Sequence, residues 1–454
     1  CGCPPLPGIG MAKLLTLSIL LSLLVLAHTT RSPDCGGILT PSGLSYVAQV
    51  SKPHAETILR QDLMASTVPD LFLGSPKSSG RNPINSVKVT ELSLSLIPHT
   101  GLRLTIDVDL GITPAPSTTK VMRLSILADL HVEMNPEGNL ELVTSACKPT
   151  IEEMQSTEET ERHSGDARCQ QTPICLEVSK LLLLPNEQLI SLTAQFPITP
   201  SCQVQYLPLA APVFSEQGIT ISLQTTFQVA GMAIPLPVSP TPFSIPELVS
   251  SSPSHLTLAF SEHFYTSFFF ALETAGAFNM TIPSPLTTAT VAQKITQMGS
   301  LFQEDLPVIL RAVLRSSPRV VLEEGKAALK LFLTIHVGAG SPAFQIFLSV
   351  NADISTGLLL SITDTRMTIS TAAALLEELF LPTIREEVPA QMNVVLSEGI
   401  FLPHVSSFTY TDVSVVIHKV RNKTFKLLPA MFDLKGTQEQ CLPPGSRINQ
   451  SLLL

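Results

Sequence analysis

An α+β fold of two similar halves, each a long twisted antiparallel sheet packed on a helix, is predicted by three observations. Apolar residues alternate with polar ones over long stretches, the pattern of half-buried strands. Helical stripes are few. Five prolines fall in the twelve residues Pro235–Pro246, and such a run fits neither a helix nor a central strand. The composition agrees: the 454 residues are 44% hydrophobic and only 14% charged, with a mean hydropathy of +0.32, where about 25% charged is usual. The apolar residues are spread along the chain. One dense apolar run, Leu14–Ala27, stands out, and it is too short to span a bilayer. These features exclude a disordered chain and a polytopic membrane protein. The net charge of -9 lacks the basic footprint of a nucleic-acid binder.

Taken in order, Cys1–Gly10 precede the first methionine, Met11, and read as translated leader. Residues 11–31 combine Lys13, the run Leu14–Ala27 and the polar His28–Arg31, and read as a secretory signal peptide. Cleavage is expected between Ala27 and Pro33. Without Lys13 and Arg31 the chain carries 26 basic and 37 acidic residues. A helix is predicted over Pro41–Ala65, with Leu44, Val47, Ala55, Ile58 and Leu59 near one face and a kink or division at Pro53. Val87–Val89 and Leu92–Leu96 alternate with a phase slip that predicts a bulge. Leu102–Ile112 and Met122–Met134 alternate cleanly and are expected to pair antiparallel, the second ending in the turn Asn135-Pro136-Glu137-Gly138. Glu152–Arg168 is acidic and polar and reads as a loop or insertion. Alternation returns at Ile219–Val229, so the N-terminal domain is placed at 33–229.

The proline-rich linker, 230–250, reads as stiff and extended. In the C-terminal domain, 251–454, Ser261 caps a helix ended by Gly276, with Phe264, Phe268, Leu272 and Ala275 as its stripe. Strands follow at Leu329–Val337, Ile346–Ile354 and Leu358–Ile362. A last helix is read from Ala372 to Phe380 and again from Val388 to Leu396, broken at Pro382 and Pro389.

Secretion makes Cys35, Cys147, Cys169, Cys175, Cys202 and Cys441 candidates for disulfides, and spacing alone leaves all pairings open. Asn279, Asn422 and Asn449 lie in Asn-x-Ser/Thr sequons and are expected to be glycosylated.

The strand, helix and turn of Leu256–Tyr265 and Ala275-Gly276-Ala277-Phe278 resemble the opening of the C-terminal barrel in one family. It is the superfamily of bactericidal/permeability-increasing protein, lipopolysaccharide-binding protein and PLUNC. Ser397–Pro403 is similar to its late Gly-x-x-Leu-Pro turn. Asp34–Tyr46 and Ala328–Ser349 resemble one individual member. The resemblance covers residues 33 to about 419. It implies an elongated two-domain boomerang in which each barrel holds an apolar pocket for acyl chains. Pocket candidates are Leu44, Val47, Ile58 and Leu59 in one half and Phe264, Phe268 and Leu272 in the other. The resemblance implies one disulfide, which maps onto Cys147 and Cys175; Cys35 with Cys202 is one option for the rest, and the pairing of Cys35, Cys169, Cys202 and Cys441 stays open. Three departures stand out. Glu152–Thr172 lacks the apolar stripe of the family's helix between its paired cysteines. Ile369-Ser-Thr-Ala-Ala runs straight into the late helix, where the family has another strand. The tail from Val420 is unlike a closing strand.

No catalytic constellation is visible: there is no Gly-x-Ser-x-Gly, no His-Glu-x-x-His and no phosphate loop. Adjacent glutamates such as Glu323-Glu324 and Glu386-Glu387 point apart and read as solvated surface. His263 and His336 read as structural or solvent-exposed, and no ligand spacing suggests a metal or cofactor. Lys419, Arg421, Lys423 and Lys426 read as a surface segment.

The expected function is non-enzymatic. The resemblance implies an extracellular lipid-binding protein of innate, antibacterial defence in egg white or mucosal fluid. Phospholipid, fatty acyl chains or bacterial lipid would be its partners, with transient membrane-surface contact and no integral span. The alternative is a bulk egg-white protein whose barrels are filled.

Overall fold

A computed structural model of the chain describes residues 32–64, 84–112, 120–154, 173–235, 254–293, 302, 304–340, 343–371, 381–404, 409–411, 413–417 and 430–434. The signal peptide, most of the linker, Cys169, Cys441, Asn422, Asn449, the basic residues 419–426 and the helix read over 372–380 lie outside them.

Among the described residues the first elements are β1 (Cys35–Leu39) and α1 (Pro41–Met64). Four long strands follow: β2 (Ile84–Ile97), β3 (Gly101–Ile112), β4 (Lys120–Met134) and β5 (Leu140–Met154). Then come α2 (Pro173–Leu181), α3 (Leu183–Ser191), β6 (Gln195–Thr199), β7 (Cys202–Pro208), β8 (Val213–Ser215), β9 (Gly218–Val229) and β10 (Met232–Ala233). The second half contains β11 (Leu256–Phe260), α4 (Glu262–Thr274), β12 (Met280–Thr287), α5 (Thr288–Ala292), β13 (Pro307–Glu323), β14 (Lys326–Ala339), β15 (Gln345–Thr363) and β16 (Arg366–Thr371). It closes with α6 (Leu381–Leu396), β17 (Ile400–Phe401), β18 (Ser414–Val416) and β19 (Ala430–Leu434).

The described residues form three antiparallel sheets: β2-β3-β4-β5, β12-β13-β14-β15-β16-β17, and a nine-stranded sheet in the order β18-β19-β11-β1-β9-β7-β6 with β8 and β10 on β9. The period-two strands behave as their sequence demands. Leu102, Leu104 and Ile106 stand opposite Leu130, Ala128 and Ile126, and all six are buried. Arg103 and Asp129 pair on the wet face at 2.8 Å. The phase slip in β2 is a register shift between Val89 and Glu91.

The helices are set by their ends. Ser261 accepts a hydrogen bond from Phe264 N and caps α4. At its other end Gly276 takes φ 82°, Gly276 N bonds Glu273 O and Ala277 N bonds Leu272 O, a Schellman ending that favours glycine. α1 runs unbroken through Pro53, and α6 through Pro389. The division expected at Pro53 and the break expected at Pro389 are thus absent, because packing of both flanks holds each helix together despite the lost bond. Two further expectations are corrected. β16 precedes α6, so a strand does stand before the late helix, paired along Leu358–Thr363. β19 in the tail pairs with β11.

The sheet that joins the two halves of the sequence is the one the pattern did not show. β1 lies between β9 and β11, with Gly37 opposite both Ile221 and Leu258. Gly43 at the start of α1 sits so close to this seam that a Cβ would lie 2.1 Å from His255 O. Thr40 Oγ1 and Ser42 Oγ both donate to Ser254 O there.

Cys147 and Cys175 form a disulfide between β5 and α2. Closing a loop with a sequence separation of 28 contributes about 3–4 kcal/mol in the chain-entropy picture. Cys35 and Cys202 are both free and buried, and the pairing between them is excluded. They flank β9 on opposite sides, opposite Leu223 and Val229. Those positions are about 20 Å apart along the strand, whereas a disulfide needs Cα atoms within about 7 Å. Burial pushes the Cys202 thiol up to about 11, and burial followed by the neighbouring Asp34 raises Cys35. Native protein treated with iodoacetamide at about pH 8 should therefore keep both thiols, because only thiolates react; peptide mass mapping checks this. A thiol raised on folding favours the folded state below its pKa. For Cys202 that contribution is lost as pH climbs through about 11.

Candidate functional site

Each half builds an apolar layer under a helix. In the first, Leu44 and Leu59 of α1 are buried in one cluster with residues of β2, β3 and β4 and with Ile174, Val178, Leu181 and Leu182. Ile58 packs at the margin of this cluster, and Val47 is half-buried. In the second, Phe264, Phe268 and Leu272 of α4 are buried against β13 and β14. Six of the seven candidate residues thus fall in two apolar clusters, and Val47 belongs to neither. Asn279 is exposed beyond the end of α4.

The same device holds each helix to its sheet. Where a sheet edge runs beside the helix, helical side chains satisfy the strand's backbone. On β2, Glu56 accepts from Val89 N at 3.1 Å, Lys52 donates to Thr90 O at 2.7 Å and Arg60 donates to Val87 O at 3.4 Å. On β13, Glu262 accepts from Leu322 N at 3.1 Å and Thr266 from Val320 N at 3.2 Å. An edge left bare would offer unpaired amides to solvent or to another chain.

The two layers differ in how they are filled. Around Phe264 the rings are dense: Phe260 lies at 4.7 Å, Tyr265 at 5.2 Å and Phe227 at 6.3 Å between centroids. Phe227 belongs to β9 in the first half of the chain. The sequence stripe on α4 gave no sign of this partner, although Phe227 lay in an alternating run. The first layer is aliphatic apart from Phe214 and less completely covered. Leu92, Leu94 and Leu96 on β2 are only partly buried, while Ile106, Leu104 and Leu102 opposite them are fully so. An apolar sheet face therefore continues past the cover of α1.

A buried polar joint links the layers. Asp34 is 1% exposed. Its carboxylate accepts from Thr225 N at 2.9 Å and from Thr225 Oγ1 at 2.5 Å, and stands 3.7 Å from His263 Nδ1. Its backbone donates to Leu223 O and accepts from Ser261 N. One residue thus ties β9 to the cap of α4, with the buried His263 beside it. His336 faces outward and bonds Ser349 Oγ at 2.8 Å.

A second charged contact joins α1 to α2. Lys180 bridges Asp62 at 3.1 Å and Glu177 at 2.8 Å. Burial and the adjacent Asp62 raise Glu177, while hydrogen bonding from Glu177, ahead of Lys180, lowers Asp62. Among the described residues no group of three or more His, Cys, Asp or Glu could hold a metal, and no helix is long and apolar enough to cross a membrane.

No family model matches the chain. It is 60% identical to Protein TENP of Gallus gallus over 444 residues, which is 93% of this chain and 100% of that protein. It is 24% identical to BPI fold-containing family B member 2 of Homo sapiens, over 90% of this chain and 97% of that one. The fold is similar to the crystal structure of lipopolysaccharide binding protein, with a TM-score of 0.50 at 15% identity over 89% of this chain and 99% of that structure.

Proposed function

The chain belongs to the BPI-fold family, and on that premise we propose that it is a secreted, non-enzymatic protein that buries acyl chains. The observation that carries this reading is the aliphatic layer under α1, whose inner face runs on to the half-covered Leu92, Leu94 and Leu96. An apolar strip of this kind suits a flexible hydrocarbon chain. We place phospholipid or fatty acid there first, and a role in antibacterial defence follows if the lipid is bacterial.

Charge decides how such a lipid would be met. Residues 32–229 carry 12 basic and 20 acidic side chains, and residues 230–454 carry 14 and 17. Steering onto an anionic surface is therefore unfavourable. Burial outweighs this: about 14 methylenes at about 0.8 kcal/mol each give a gross gain of roughly 11 kcal/mol.

For the second half, the ring contacts around Phe264 favour the other reading, a filled core with no ligand of its own. Together the two readings put one acyl site in the N-terminal half and a structural core in the other. Titrating delipidated protein with a fluorescent fatty acid should give saturable uptake near one equivalent. Leu94→Gln should weaken that uptake roughly tenfold by placing an amide on the apolar strip. Uptake that never saturates, or none at all, would sink the proposal.

A further inference from the structure

The helices α2 and α3 follow one another almost as a single helix. Leu182 N donates to Val178 O at 3.3 Å and Asn186 N to Leu182 O at 3.0 Å across the junction. At about 3.6 residues per turn, positions 176, 180, 183, 187 and 190 then share one stripe. That stripe reads Leu-Lys-Leu-Glu-Ile, and it faces solvent: Leu176 is 52% exposed, Leu183 61% and Ile190 49%, with Leu184 beside them at 37%. The opposite side carries Ile174, Val178, Leu181 and Leu182 into the first apolar cluster. α3 itself has no buried residue. It hangs on the sheet by Asn186, whose side-chain amide pairs with both Leu142 N, at 2.8 Å, and Leu142 O, at 3.1 Å. The disulfide at Cys175 fixes the other end to β5. A rigidly mounted helix that shows its leucines to water calls for a partner.

The charges on the stripe say which. Lys180 faces two carboxylates, Asp62 and Glu177, and Glu187 adds another acid among the apolar neighbours, so the stripe carries no positive excess. A surface of that kind has no purchase on anionic headgroups and suits a neutral, zwitterionic one. The patch is also continuous with the acyl site. In the run Leu181–Leu184 the first two side chains are buried in the cluster and the last two are exposed.

We propose that Leu176, Leu183, Leu184 and Ile190 dock the protein on a zwitterionic phospholipid surface, with α2 and α3 lying in the interface. This inference rests on the acyl-binding reading, to which it adds the surface from which the chain is drawn.

Full-length protein is sedimented with phosphatidylcholine vesicles, alongside the double variants Leu183→Ser/Leu184→Ser and Leu176→Ser/Ile190→Ser. Fatty-acid uptake from solution, circular dichroism and sedimentation velocity are recorded on the same samples. Each pair of exposed apolar side chains is expected to lower vesicle partitioning at least roughly tenfold, with little dependence on salt. Solution uptake and dichroism should stay as in the parent. Parent-like partitioning of both folded double variants would overturn the docking, as would binding confined to anionic vesicles. Variants that only convert a dimer to a monomer would assign the stripe to a second copy of the chain and also overturn it. A parent protein that takes up fatty acid but never sediments with vesicles removes the docking and leaves the acyl site. One that takes up no fatty acid strikes the acyl site itself.

Discussion

Replacing Asp34 with alanine is expected to destabilise the protein by about 3–5 kcal/mol, the usual cost of removing one partner from a buried charged contact. The carboxylate is 1% exposed and holds both polar groups of Thr225. Truncation leaves Thr225 N and Oγ1 buried without their acceptor, each a loss of about 1–3 kcal/mol before relaxation. It also removes the acid facing His263 at 3.7 Å. Asp34→Asn should cost less, because an amide oxygen can still accept from Thr225 N. Urea unfolding of the three proteins checks the order. Equal stabilities would show that the joint between β9 and the cap of α4 carries no weight.

Phe264→Ala is the second large effect, at about 3–5 kcal/mol. Phe264 is fully buried, with three aromatic rings around it, the nearest at 4.7 Å. A close-packed site pays for a lost ring with a cavity, whereas a hollow lined by Phe264 would already lack part of those contacts. Phe264→Leu should lose only about 1 kcal/mol, since repacking tolerates a similar volume. Calorimetry distinguishes the cases: a loss below about 1 kcal/mol for the alanine variant would mean that the second half is open rather than filled.

These two residues show what was legible in the sequence. The α4 stripe containing Phe264 was plain from its 3.6-residue period, its Ser261 cap and its Gly276 ending. So was the pairing of Leu102–Ile112 with Met122–Met134, because alternation fixes both the strand and its inner face. The bulge in β2 announced itself as a slip of phase. Asp34 announced nothing. Its meaning comes from partners at Thr225 and His263, some 190 to 230 positions away, and no local pattern encodes such a contact. The same holds for β1, which finds β11 across more than two hundred residues.

Other misses have local causes. β13 carries Pro307, Pro318 and the polar Ser316-Ser317, and its register shifts there hide the alternation. The leucine run 181–184 has no polar spacing to reveal a helical period, and Pro185 argued against one. Only the contact with β5 and the disulfide make α2 and α3 readable as helices on the sheet. For the candidate site, the two apolar stripes were visible, but their difference was not. A packed aromatic core and a partly covered aliphatic strip follow the same binary pattern. What separates them is the long-range arrival of Phe227 in one and the edge of β2 in the other.

The central claim is that the aliphatic layer under α1 holds an acyl chain. Native mass spectrometry of the protein purified without detergent tests it most directly. A population heavier than the lipid-free protein by the mass of one lipid is expected. Organic extraction should remove that increment, and added fatty acid should restore it. A single species at the polypeptide mass that gains nothing when fatty acid is supplied would contradict it.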